Sequence, residues 1–232
     1  PIGGPPPANP NLVYQWNPAQ YLNDSTFPQP TLTPINNTGV PQLQAYQVIV
    51  ADTQTNCIDS SSVQIQVNPV PDASYSMTPE ICEGDSAYVE YTGTLNTFGT
   101  FVWSFSGGLP GSSIGQGPHW VSWNTPGSYE VSLIVSSLGC TSPPNLDTIL
   151  VKPIPVAAIA AAFPQCFSGH NFNLLNIGTY DSTANFNWNF SQGATYPSDT
   201  TEHLDSLSFI FPGIHRVTLQ IEQNGCVSEQ DT

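Results

Sequence analysis

The sequence repeats itself at a fixed period, and this repeat constrains the fold more than any other feature. Two copies share a Trp-x-Phe unit, a Pro-Gly pair and a Gly-Cys pair in the same order. These are Trp103/Phe105, Pro126-Gly127 and Gly139-Cys140 in one copy, and Trp188/Phe190, Pro212-Gly213 and Gly225-Cys226 in the next. The interval from the proline to the cysteine is identical in both copies. Self-similarity at a fixed period indicates an array of like modules.

A third, shorter copy precedes these two. Trp16 and an alternating run from Tyr46 to Val50 lead to Cys57, and Tyr46 precedes that cysteine by the same interval as Tyr129 precedes Cys140. The motifs Asn-Pro-Val-Pro at 68–71 and Lys-Pro-Ile-Pro at 152–155 separate the copies, and alternating prolines favour a short, stiff, extended joint. We therefore predict three modules, 1–69, 70–152 and 153–232, that form a rod.

The two outer modules are short when measured against this period. Trp16 lies much closer to the start of the sequence than Trp103 and Trp188 lie to the joints before them. The segment after Cys226 is likewise shorter than the segment between Cys140 and the next joint. We expect the first module to lack its N-terminal strands and the third its closing strand, as in a segment of a longer protein. The alternative is that another copy of the chain donates these strands.

Apolar and polar residues alternate ahead of the second and third Gly-Cys pairs, at 129–135 and 217–221, and no segment shows a helical period. This pattern predicts an all-β fold of tandem immunoglobulin-like antiparallel β-sandwiches. Aromatic residues at corresponding positions are expected to fill the cores. The predicted core residues are Trp16, Trp103, Phe105, Trp123, Trp188, Phe190 and Phe209.

The cysteines offer a covalent brace for modules this small. Each of the two longer copies contains two cysteines at like positions, which predicts the bridges Cys82–Cys140 and Cys166–Cys226. Closing loops of this length would stabilise each module by roughly 4 kcal/mol in the chain-entropy model. Cys57 would then pair outside this sequence, and the alternative is that the cysteines are buried free thiols. The predicted bridges favour an extracellular or cell-surface location.

The charge balance excludes several partners. The chain carries 17 acidic residues against Lys152 and Arg216 alone, a formal net charge of −15. Such a chain has almost nothing to neutralise phosphates, so we expect no binding to nucleic acid or to anionic membrane surfaces. No apolar stretch is long enough to span a bilayer, so we expect no membrane insertion in this segment.

Two segments of the second copy resemble a known module family. The segment 101–108, Phe-Val-Trp-Ser-Phe-Ser-Gly-Gly, and the segment 120–133, which contains Asn-Thr-Pro-Gly-Ser-Tyr, resemble the PKD-like modules of surface proteins from Bacteroidota. The first copy, with Trp-Asn-Pro at 16–18 and Tyr-Gln-Val-Ile-Val at 46–50, is similar to modules of giant gliding-associated adhesins exported by type IX secretion. The resemblance implies an extracellular role in adhesins, filaments or accessory regions of enzymes.

Six Asp-Ser/Thr triplets resemble the O-glycosylation signal of the same bacteria. The resemblance implies sugars on Ser25, Ser86, Thr148, Ser182, Thr200 and Ser206. The alternative is chance matching, because the chain is rich in serine and threonine.

Other candidate sites are few. Trp120, next to His119, falls on the opposite face from Val121, so the two residues are a candidate surface contact at which an exposed tryptophan could stack on a sugar or pack against a neighbouring subunit. The alternative is a loop tryptophan that is partly covered. Calcium at the joints is a further possibility, through the carboxylates Asp72, Glu80, Asp85 and Asp147. The four histidines lack metal-ligand spacing and no catalytic constellation is present, so we predict no metal centre, no cofactor and no enzyme activity.

The sequence thus predicts a structural repeat region of an extracellular bacterial adhesin or filament, a stiff disulfide-braced stalk for attachment, gliding or prey capture. Its partners would be further copies of itself, neighbouring modules, surface polysaccharide or another cell. The alternative is a carbohydrate-binding or spacer region of a secreted polysaccharide-degrading enzyme.

Overall fold

The computed structural model describes residues 11–94, 99–160 and 164–232. These residues form strands, turns and bends without any helix, so no described segment is a helix that could cross a membrane. Buried side chains form three clusters, within 14–48, 73–151 and 174–221. The predicted all-β, immunoglobulin-like sandwich fold is confirmed, while the module boundaries stay a prediction. Residues 1–10 of the predicted first module lie outside the described residues.

The first module contains one antiparallel sheet in the order β1-β2-β3. Its strands are β1 (Leu12–Asn17), β2 (Gln42–Asp52) and β3 (Ile58–Val67). Tyr14 and Trp16 point to the same face because strand side chains alternate, and they pack on Tyr46 and Val48 of β2. The Trp16 indole Nε1 donates to the Phe27 carbonyl at 3.0 Å, so the segment between β1 and β2 contacts the core.

The second module is a two-sheet sandwich. One sheet has the order β4-β6-β9, and the other has the order β5-β12-β10-β7-β8, with β11 pairing β10. The strands are β4 (Tyr75–Met77), β5 (Glu80–Cys82), β6 (Ser86–Tyr91), β7 (Thr100–Phe105), β8 (Ser112–Ile114), β9 (His119–Ser122), β10 (Gly127–Ser137), β11 (Cys140–Thr141) and β12 (Asn145–Lys152). The inward-facing residues of β7 are Phe101, Trp103 and Phe105, and all three are buried between the sheets.

The third module repeats part of this plan, and its described residues form no strand that corresponds to β4, β5 or β12. Its sheets have the orders β13-β16 and β15-β14-β17-β18. The strands are β13 (Phe172–Leu174), β14 (Asn185–Phe190), β15 (Ser198–Asp199), β16 (Leu204–Leu207), β17 (Val217–Gln223) and β18 (Cys226–Val227). Trp188 is fully buried, and its Nε1 donates to the Thr201 carbonyl at 2.8 Å, just as Trp103 Nε1 donates to Gly115 at 3.0 Å. The same indole is therefore anchored in the same way in both copies.

The predicted core aromatic residues lie in these clusters. Six of the seven are buried, while Phe190 is partly buried at the edge of the third cluster and packs edge-on against Tyr196.

The Gly-Cys pairs of the second and third modules belong to tight turns between strands. Leu138-Gly139 and Asn224-Gly225 adopt positive φ at both positions and form two-residue hairpin loops. Each loop places the following cysteine at the end of a long strand.

Candidate functional site

The most distinctive site is a disulfide that joins the second module to the third. Cys82 bonds to Cys226 with a Cα–Cα distance of 5.7 Å, across 144 positions of sequence. Cys57, Cys140 and Cys166 are free thiols. The predicted pairings Cys82–Cys140 and Cys166–Cys226 are therefore wrong, and the bridge connects modules instead of bracing one.

The strand geometry explains why Cys82 does not reach Cys140. Strand β10 starts at Gly127, which pairs with Val151, and Val151 also pairs with the residue before Cys82. The other end of β10 is Ser137, which pairs with Cys140. A strand of this length spans about 33 Å, far beyond the limit of about 7 Å between the Cα atoms of a disulfide. The two cysteines of one module thus lie at opposite ends of the sandwich.

The surroundings of the bridge bring the two modules into contact. Cys82 pairs with Lys152, the last residue of β12, and Lys152 Nζ donates to Glu80 Oε1 at 3.0 Å. Cys82 Sγ lies 3.9 Å from the Gly225 carbonyl, and a Cβ on Gly225 would lie 3.8 Å from Lys152 Nζ. The hairpin loop of the third module therefore rests against the end of the last strand of the second module.

The first joint has the same arrangement without the bridge. Asn68, which follows β3, donates from Nδ2 to the Leu138 carbonyl at 2.8 Å. Its own carbonyl lies 3.9 Å from Cys140 Sγ. Asn68 takes the place that Lys152 has at the second joint, and the loop of the downstream module again contacts the end of the upstream one. Sequence reasoning missed this pattern, although the shared proline-to-cysteine interval already implied a long strand between each Pro-Gly turn and its cysteine.

A second candidate site is an exposed aromatic pair on the β4-β6-β9 sheet. Trp120 is 63% exposed, and its ring packs edge-on against Tyr88 on the neighbouring strand at 5.1 Å. A hydrogen bond with Glu90 raises the pKa of the Tyr88 hydroxyl. His119 is different, because its ring packs edge-on against Trp103 and its Nδ1 lies 3.2 Å from Ser113 Oγ. Trp120 rather than His119 is therefore the residue available for contact.

The carboxylates considered for calcium do not converge. Glu80 pairs with Lys152, Asp72 Oδ1 accepts hydrogen bonds from the amide and hydroxyl of Ser74, and Asp147 Oδ1 accepts from the Thr148 amide. Within 11–94, 99–160 and 164–232 no group of three or more His, Cys, Asp or Glu side chains could hold a metal ion. The arrangement of these side chains gives no support to calcium at the joints.

The predicted glycosylation sites lie at the surface. Ser86, Thr148, Ser182, Thr200 and Ser206 are exposed, and so is Ser25 in part. Three of the triplets also have a local structural role, because Asp24, Asp181 and Asp199 each accept hydrogen bonds from the amide and hydroxyl of the threonine two residues on. Such turns are a property of Asp-x-Thr sequences in general, and glycosylation stays a prediction.

These turns predict a stability loss in acid. The hydroxyls of Thr26, Thr183 and Thr201 lower the pKa of Asp24, Asp181 and Asp199 below the ordinary value of 3.8. A carboxyl whose folded-state pKa is depressed stabilises the fold above its unfolded pKa and loses this effect as pH falls through the folded pKa. We expect the unfolding temperature to fall between about pH 4 and pH 2.

The matched variants for this prediction are Thr183→Val and Thr148→Val. Thr183→Val removes the hydroxyl bound to Asp181, so its unfolding temperature should fall less steeply as the pH is lowered. Thr148 is exposed, and Asp147 binds only the amide of residue 148, so Thr148→Val should follow the wild type. Calorimetry measures the unfolding temperature of the wild type and both variants as a function of pH. The same fall in acid for all three proteins would contradict a stabilising role of the Thr183 hydroxyl.

Comparisons with known proteins find only distant likeness. No protein-family model matches the sequence, and no curated protein is similar to it. Among solved structures, the fibronectin(III)-like modules of CbhA from Clostridium thermocellum match at 12% identity and TM-score 0.33, covering 68% of this chain and 90% of that one. Three immunoglobulin domains of titin match at 11% identity and TM-score 0.39, covering 95% and 87%. The three N-terminal domains of the bacteriophage RB49 Highly Immunogenic Outer Capsid protein match at 14% identity and TM-score 0.38, covering 99% and 86%. Likeness at this level carries no functional argument.

Proposed function

We propose that this chain is a repeat region of an extracellular bacterial surface adhesin or filament, in which it acts as a stiff stalk. The observation that carries the proposal is the Cys82–Cys226 bridge. Two modules joined by one linker can swing about it, whereas a second covalent connection beside the linker restricts both bending and twisting. Restricted joints suit a stalk that must hold its ends apart.

The cellular compartments in which disulfides persist and the composition of this chain support the same role. Disulfides persist in oxidising environments such as the periplasm and the cell surface. With 8% charged residues and a net charge of −15, the chain repels polyanions and like-charged copies at long range. The resemblance to modules of type IX-secreted gliding adhesins from Bacteroidota suggests attachment, gliding or prey capture as the purpose of the stalk.

Antibody labelling of native cells tests this proposal. Antibodies raised against residues 70–232 should label intact cells, and the label should disappear when the surface is treated with a broad-specificity protease. Alkylation before lysis, followed by mass spectrometry, should show Cys82 bonded to Cys226 in the native protein. Label that appears only after permeabilisation, with both cysteines alkylated, would overturn the proposal. A cytoplasmic protein probed in parallel controls for leakage.

The exposed pair Trp120 and Tyr88 favours a second candidate function, binding of polysaccharide. Exposed aromatic rings stack on the apolar faces of sugars, and Glu90 beside Tyr88 supplies an acceptor for sugar hydroxyls. A panel of insoluble β-linked polysaccharides serves as the probe in a pull-down. We expect Trp120→Ala to weaken binding about tenfold.

The matched control is Ile114→Ala, which removes another exposed apolar side chain from the other sheet of the same module. It should leave binding unchanged. Equal retention of the wild type and Trp120→Ala on every polysaccharide would exclude a sugar site at Trp120 and leave the stalk proposal untouched.

A further inference from the structure

The two joints follow one rule, which defines two kinds of module end. The hairpin end carries the Gly-Cys loop, as at Cys226, and the receiving end carries the cysteine that precedes the core tryptophan, as at Cys82. At the second joint the hairpin end of the third module is bonded to the receiving end of the second. At the first joint the hairpin end of the second module, with Cys140, contacts Asn68 of the first. The second module therefore receives the third module at one end and contacts the first module with its other end.

The third module has a receiving end that no described residue covers. Cys166 precedes Trp188 by nearly the same interval as Cys82 precedes Trp103, and it is an exposed free thiol. Strand β17 runs from Val217 to Gln223, next to the bridge, so its Val217 end lies about 20 Å away. The segment just before Val217, which reaches His215, adjoins the cysteine loop at this distal end.

This distal end is apolar and contains a preformed cavity. A cavity of about 180 Å³ is lined by Phe167, Phe209, Phe211 and the rings of His170 and His215. The Phe209 and His215 rings stack with centroids 3.8 Å apart. His170 fixes the rim, because its Nδ1 lies 2.6 Å from the Phe167 carbonyl and its Nε2 accepts from the Phe209 amide at 2.7 Å.

Two exposed aliphatic side chains lie next to these lining residues in the sequence. Ile210 is 71% exposed and Ile214 is fully exposed, and each lies between two cavity-lining residues in the sequence. An exposed apolar patch at a module end is typical of a surface that is covered in the assembled protein. The corresponding end of the second module is covered by the third module in this structure.

The first module has a corresponding hairpin end, although its loop is longer and Asn56 instead of glycine precedes the cysteine. Cys57 is an exposed free thiol in the loop between β2 and β3, and the Asp52 amide donates to its carbonyl at 2.9 Å. Strand β3 separates it from Asn68 by about 30 Å, so Cys57 lies at the end of the first module that faces away from the second. Cys140 is not the equivalent candidate, because it already contacts Asn68 within the chain.

We propose that the Cys166 end of the third module binds the Cys57 hairpin end of a second copy of this chain and is closed by a Cys57–Cys166 disulfide. The inference rests on the proposed stalk function and names its partner. In the closing step each thiol loses a proton, one S–S bond forms, and the two electrons pass to a small-molecule disulfide oxidant, which leaves as two thiols. Like charges of −15 oppose the encounter, so linkage should be faster at high ionic strength.

Oxidation of the full chain by glutathione disulfide tests this. With Cys82–Cys226 already formed, the wild type should give a ladder of dimers, trimers and longer species on a non-reducing gel. Cys57→Ser alone and Cys166→Ser alone should stay monomeric, while their equimolar mixture should stop at the dimer, because each chain then keeps one reactive end. Cys140→Ser should give the wild-type ladder. Peptide mapping should identify Cys57 bonded to Cys166.

A further variant separates docking from chance collision of thiols. Ile214→Asp places a charge on a fully exposed position, so the fold should be preserved. It should slow ladder formation about tenfold while leaving the reaction of Cys166 with a small thiol reagent unchanged.

Dimers in Cys57→Ser alone, a ladder that depends on Cys140, or no effect of Ile214→Asp would each overturn the inference. A chain that stays monomeric yet is found on the cell surface with Cys82–Cys226 intact would overturn this inference alone and leave the stalk proposal standing.

Discussion

Pulling the oxidised chain by its two ends is expected to release about 500 Å less contour length than pulling the reduced chain. The bridge closes 144 positions of sequence, and extended chain spans at most about 3.5 Å per residue. Force applied at the ends passes from Cys82 through the sulfur atoms to Cys226. The cores built on Trp103 and Trp188 lie inside the closed loop and bear almost no load, so we expect only the first module and the short flanking segments to extend.

Single-molecule force spectroscopy with and without a thiol reductant measures this difference. Cys82→Ser should reproduce the reduced behaviour even in oxidising buffer, and Cys140→Ser should behave as the wild type because Cys140 is a free thiol. Equal contour lengths in both buffers would show that the bridge does not form. A disulfide within one module would limit how far that module extends after it unfolds. The Cys82–Cys226 bridge instead protects the cores of the second and third modules from the applied force.

Trp103→Ala is expected to lower the free energy of unfolding of the second module by about 3–5 kcal/mol. The side chain is fully buried, contacts Tyr75 edge-on at 5.2 Å and donates to the Gly115 carbonyl. Removal leaves a cavity between the sheets and an unpaired carbonyl, and the loss is a large share of the stability of a small domain. Trp120→Ala, in the same module, should change it by less than about 0.5 kcal/mol because Trp120 is exposed.

Urea titration followed by circular dichroism compares the two variants, because fluorescence would change with the loss of either indole. The titration should be run with the bridge intact, since closing so long a loop contributes about 5 kcal/mol in the chain-entropy model and couples the second module to the third. Similar losses in both variants would mean that burial at these positions is not as described.

Much of the fold could be predicted from residue patterns because the responsible interactions are local. Alternation along β7 places Phe101, Trp103 and Phe105 on one face whatever the rest of the chain does. The exposure of Trp120 follows from the same alternation, since Val121 beside it faces the core. Asp-x-Thr turns are likewise formed between near neighbours in sequence, and the same short hydrogen bonds lower the pKa of the Asp181 carboxyl.

The cysteine pairing could not be predicted in this way. The intervals between cysteines fit a bridge within each module as well as one between modules, and the choice depends on which end of the sandwich each cysteine occupies. His119 shows the same limit, because its contact with Trp103 depends on where β8 and β9 bring the ring, not on its neighbours in sequence.

The amino-acid sequence alone determined the repeat, the strand alternation and the aromatic cores, because these depend on side-chain direction along a strand and on hydrophobic burial. Tertiary structure alone decided that Cys82 bonds to Cys226 and that the hairpin loop of one module rests on the end of another. The physical reason is distance: the long strand β10 holds the two cysteines of a module at opposite ends, and only the packing of successive modules brings sulfur atoms within bonding range.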